Sequence, residues 1–102
     1  MLLTKYGVSE VTEVQQFVIR LTNQLWKLIP MRENEEDWHK QLETLILEIT
    51  GLNEIFVING TLLSLLCKLE GLRLIDTPFS VYRKTVFESI SLLQEFGRGI
   101  TQ

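Results

Sequence analysis

One histidine, one cysteine and a short acidic run are the residues of this chain whose types could do chemistry. His39 follows Trp38, close to Glu35 and Glu36. A metal site would need further nitrogen or sulfur ligands, and a general base would need a nucleophile within hydrogen-bond reach. Neither accompanies His39 in sequence, so it reads as a surface histidine. Cys67 lies in Leu65-Leu66-Cys67-Lys68-Leu69. A reactive thiol needs a lowered pKa and a partner base, whereas a free cysteine among leucines behaves as a small apolar residue. The expectation is a buried structural cysteine. Glu33, Glu35, Glu36 and Asp37 form the densest acidic run. It lacks the alternating oxygen ligands and the glycine bend of a calcium loop, so helix capping and dipole compensation account for it. No phosphate-cradling glycine loop, nucleophile elbow or zinc spacing occurs. No catalytic, cofactor-binding or metal residue is therefore assigned, and a non-enzymatic protein without cofactors is expected.

The charge balance narrows the partners. Ten basic residues against thirteen acidic ones give a net charge of −3, which supplies no general attraction to nucleic acid. Only Arg83 and Lys84 are adjacent bases. A small helix-turn-helix-like regulator is the alternative, with Pro78 to Lys84 opening a recognition helix that carries Tyr82, Arg83 and Lys84; net acidity opposes it. A single cysteine precludes an internal disulfide and points to a reducing, intracellular location, cytoplasmic or nuclear. The amino end lacks a signal-peptide apolar stretch, and no apolar run approaches a membrane span, so no membrane partner is expected.

The elements that must position these residues are helical. Val11, Val14, Val18, Leu21, Leu25 and Leu28 alternate by three and four, one face of a helix over about residues 10 to 29, with Ser9 as N-cap and Pro30 as its stop. Asn34 starts a second helix with the stripe Trp38, Leu42, Leu45, Ile46 and Ile49, ended by Thr50-Gly51. Residues 52 to 58 read as a short helix rather than a strand, broken at Asn59-Gly60. A leucine-rich helix then runs from a Thr61 cap to Gly71. Pro78 or Ser80 opens the last helix, with the stripe Val81, Val86, Ile90, Leu93 and Phe96, and Gly97 and Gly99 end it. The chain is thus a single all-α domain over 1–102: four main helices plus one short helix, as an armadillo/HEAT-like stack or a compact bundle.

The stack enters through a resemblance. Asn53, Phe56, Val57, Gly60, Leu62, Leu65, Leu66 and Leu69 make a short helix, a glycine and a leucine-rich second helix, which looks like the junction of an armadillo-type repeat. Ser80 to Phe96 stands where such a unit has its third helix, and helix 35 to 50, ending at Ile46, Ile49 and Gly51, resembles the third helix of a preceding unit. The resemblance covers residues 35 to 97 and implies a helical scaffold that acts by protein binding. Where peptide-binding members place groove asparagines, this chain has Glu48 and Leu92. Stacked repeats bury their faces against neighbours, so so few units must close into a bundle or borrow a partner.

Phe17, Trp26 and Ile29 are apolar positions in surplus of the first helix's seam, Trp38 opens the stripe of the second, and aromatics of this kind anchor interfaces. They are the candidate partner-binding residues. The expected role is protein–protein interaction or self-assembly through an apolar helical surface, with a protein partner or a second copy of the chain bound there.

Overall fold

The computed structural model describes residues 2–4, 7–9, 11–55, 60–74 and 76–99. Four helices carry the fold: α1 (Val11–Glu33), α2 (Trp38–Ile55), α3 (Gly60–Leu74) and α4 (Phe79–Gly99). A small antiparallel ribbon, β1 (Leu2–Thr4) with β2 (Gly7–Ser9), precedes them and pairs Leu3 with Val8. Ser9 therefore ends a strand instead of capping α1.

Each helix packs on its neighbours in the chain, and α1 also packs on α4, which closes the ring of a four-helix bundle. Short connections at 34–37 and 75–78 force neighbouring helices to run antiparallel. Cross-helix contacts agree: Arg20 of α1 meets Glu48 of α2 at 3.1 Å, while the Tyr82 hydroxyl at the start of α4 reaches Leu28 near the end of α1. The molecule is accordingly elongated, 41 × 21 × 19 Å.

The apolar stripes supply the core. Val18, Leu21, Leu25 and Leu28 meet Leu42, Leu45, Ile46 and Ile49 from α2, Leu62, Leu65 and Leu69 from α3, and Val86, Ile90, Leu93 and Phe96 from α4. Burying a leucine-sized side chain stabilises by about 1.5–3 kcal/mol, so this layer, and not intrinsic propensity, decides where helices run.

That priority explains where helix ends differ from expectation. Gly51 and Gly71 do not stop their helices. Leu52 and Leu72 follow one residue later, three after Ile49 and Leu69, and both are buried. Interior glycine costs only about 1 kcal/mol relative to alanine, less than the burial of the leucine beyond it. Leu52 to Ile55 thus extend α2 and form no separate short helix, and the remainder of that expected helix, 56–58, lies outside the described residues. Similarly, Thr61 sits inside α3, not at its cap, and α4 passes through Gly97 to end at Gly99. Nothing stands within 4 Å of a Cβ added at Gly51. Gly51→Ala is expected to raise stability by about 0.5–1 kcal/mol, read as a higher urea midpoint at unchanged slope.

Nor does Pro30 end α1, which runs on to Glu33. Pro30 lies on an exposed face in the last turn, where water can serve the carbonyl that its missing N–H leaves free. The true stop is a Schellman turn. The Glu36 N–H donates to the Met31 carbonyl and the Glu35 N–H to the Arg32 carbonyl, with Glu35 in the left-handed region at φ 56°. A side chain there is strained, so Glu35→Gly should gain roughly 0.5–1 kcal/mol by the same measurement. Asp37, not Asn34, caps α2: its Oδ1 accepts from the Lys40 N–H at 3.2 Å.

Candidate interaction groove

Helices α1 and α4 leave a long groove between them. On α1 it is lined by Gln15, Ile19, Thr22, Trp26, Pro30 and Glu33, one stripe at spacings of three and four. On α4 the wall is Ser80, Arg83, Phe87, Gln94 and Arg98, again a single stripe. Two depressions, about 630 and 680 Å³, lie on either side of Trp26, which lines both. Val18 and Ile29 form their apolar floors.

The Trp26 indole stands between the two depressions and is 44% exposed. It is held upright by an edge-to-face contact with Phe87, ring centroids 5.2 Å apart at 75°. The guanidinium of Arg83 lies over the other ring of this pair, 4.8 Å from the Phe87 centroid. Farther along α1, Ile19 projects with 60% of its surface exposed. At the far end of the groove α4 comes close to α1: the position of a Gly97 Cβ is 3.1 Å from Val18 Cγ1, so a bulky residue there would hold α4 away from α1.

The four residues expected to bind a partner have separate fates. Trp26 lies open in the groove. Ile29 belongs to the core and reaches the groove only as its floor. Phe17 is half-buried against the core, with the Arg20 guanidinium 4.7 Å from its ring. Trp38 closes the end of the bundle, stacked on His39 at 3.7 Å and edge-on to Tyr82 at 4.9 Å. Tyr82 is fully buried, and its hydroxyl donates to the Leu28 carbonyl at 2.8 Å. Arg32 completes this end, its guanidinium 4.6 Å from the Tyr82 ring and donating to the Thr77 carbonyl. Burial raises the Tyr82 pKa well above its ordinary value, and the nearby Arg32 charge offsets part of the rise.

Elsewhere the chemistry-bearing residues stand apart. His39 is exposed, as expected. Cys67 is also exposed, which corrects its assignment to the core. It follows the buried Leu65 by two positions, about 200° around the helix, and so points away from the bundle. Among the described residues no three His, Cys, Asp or Glu side chains gather as a metal site would require. No described helix is long and apolar enough to cross a membrane.

Sequence reasoning passed over a second apolar feature. Leu63, Cys67 and Leu74 are exposed along one outer stripe of α3, opposite its buried leucines. The signal was present, because leucines occur on both faces of that helix and only one face can enter the core. Unlike the groove, this stripe carries no aromatic anchor. Comparison of the chain with protein-family models, with curated proteins and with solved structures finds no match.

Proposed function

We propose that the chain is a non-enzymatic interaction module that takes an amphipathic helix of a protein partner, or of its own kind, into the α1/α4 groove. The observation that carries this reading is Trp26, a large aromatic left open between two depressions with apolar floors and polar rims. Aromatic side chains in such settings contribute most of the affinity of protein interfaces. A groove lined from Gln15 to Glu33 is about 27 Å long, which matches a helix of roughly 18 residues. Carrying one cysteine and no disulfide suits such a module to a reducing compartment.

The test uses Trp38→Phe, which leaves Trp26 as the sole tryptophan. Its emission is followed while the protein is concentrated, and separately while a designed amphipathic helix of about 18 residues is added. Docking predicts a saturable blue shift in one titration or both. Absence of any shift in either would remove the proposal.

A further inference from the structure

Resting on that reading of the groove, we infer that its occupant is an acidic amphipathic helix of another protein, with carboxylates along the flank that faces α4. Charge is spread unevenly over this molecule. The chain as a whole carries −3. Yet among the described residues that line the two depressions, Glu33 is the only carboxylate, against the guanidinium groups of Arg83 and Arg98. Both arginines stand on the α4 wall, about 22 Å apart at 1.5 Å per residue. Glu33 stands on the opposite wall, at one end of the groove.

Nothing in the chain neutralises these two arginines. Away from the groove, Arg20 pairs with Glu48, Lys68 with Glu88 and Arg73 with Glu70. Arg83 and Arg98 are exposed and form no ion pair among the described residues, although Glu95 precedes Arg98 by one helical turn. The Arg83 guanidinium lies instead over the Phe87 ring, the same ring that supports Trp26. An aromatic face steadies a guanidinium without cancelling its charge, and the planar fork remains able to take a carboxylate.

Shape sets the rest of the partner. Trp26 rises between two depressions with apolar floors, so the face of the helix that enters the groove is apolar, with side chains on either side of the indole. A helix that carries carboxylates about 14 or 15 residues apart, close to four turns, beside such a stripe meets both arginines at once. Acids on one flank alone also fix the direction in which it lies. The reversed helix would turn them toward α1, where Glu33 repels them and no lining residue is basic.

Three designed helices of about 18 residues and matched helicity test this, alike in their apolar stripe and carrying on one flank two glutamates, two lysines or two glutamines about 14 residues apart. Each is titrated into the Trp38→Phe chain, where Trp26 emission reports occupancy of the groove. The glutamate helix should bind about tenfold tighter than the lysine helix, with the glutamine helix between them. That order opposes the net charge of the chain, which by itself attracts the lysine helix. Salt at about 1 M, where screening acts within about 3 Å, should bring the three to within about twofold. Adding Arg83→Glu and Arg98→Glu together should invert the order, with circular dichroism confirming the fold. Equal affinities, a preference for the lysine helix, or a double variant that still prefers glutamate would each overturn the acidic partner and leave docking in the groove standing. No shift with any of the three helices would remove the groove as a docking site, and the acidic partner with it.

Discussion

Tyr82→Ala should cost about 3–5 kcal/mol and lower the melting temperature by roughly 15–30 °C, the largest effect expected of any single change. Tyr82 is fully buried and joins three parts of the bundle end: it is edge-on to Trp38 of α2, receives the Arg32 guanidinium on its face and bonds to the Leu28 carbonyl. Alanine opens a cavity beneath Trp38 and strips Arg32 of an aromatic face. Tyr82→Phe isolates the hydroxyl. It keeps the ring and loses one buried hydrogen bond, a cost of about 1 kcal/mol. The pH dependence follows from the raised pKa. Ionisation is harder in the folded state than in the unfolded chain, so the Tyr82 contribution is fully present below the unfolded value, about pH 10, and is lost as pH rises beyond it. The stability gap between wild type and Tyr82→Phe should consequently narrow above about pH 10 in urea titrations. A constant gap would mean that the phenol is not buried.

Gly97→Leu should destabilise by about 1–3 kcal/mol. At this position α4 approaches α1 so closely that even a Cβ would lie 3.1 Å from Val18 Cγ1. Gly97→Ala balances that crowding against a helix-propensity gain of about 1 kcal/mol and should sit near wild type. Leucine has no room and must push the helices apart. Because Gly97 and Val18 line one depression of the groove, the same variant should also lose helix binding. Denaturant midpoints and the Trp26 titration read the two effects on one sample; wild-type stability for Gly97→Leu would rule out the close approach of α1 and α4.

The bundle was largely legible in the sequence because the repeat of three and four survives wherever a helix faces the core. Val18, Leu21, Leu25 and Leu28 were readable as one seam, and all four are buried. Helix ends were less legible. Gly51, Gly71 and Pro30 are local signals worth one to a few kcal/mol, and Leu52 and Leu72 beyond the two glycines return to the core face and override them. The real stop of α1 needed a left-handed Glu35, which composition does not advertise. Of the candidate site, Trp26 was legible as surplus to the seam. Its partner wall was not, because Phe87 and Arg83 come to face it only through the pairing of α1 with α4, a long-range contact that periodicity within one helix does not encode. For the same reason Ile29, equally surplus by local count, is taken into the core when the helices close, and Trp38, at the head of its own stripe, packs against it.

Whether Trp26 serves binding more than folding is decided by Trp26→Ser. The side chain is nearly half exposed and its main ring contact is with Phe87, so stability should fall by no more than about 1.5 kcal/mol. Association, with a second copy or with the designed helix, should weaken about thirtyfold or more, as for an interface anchor. A variant that loses several kcal/mol of stability yet associates as wild type does would place Trp26 in the core and contradict the groove as the working surface.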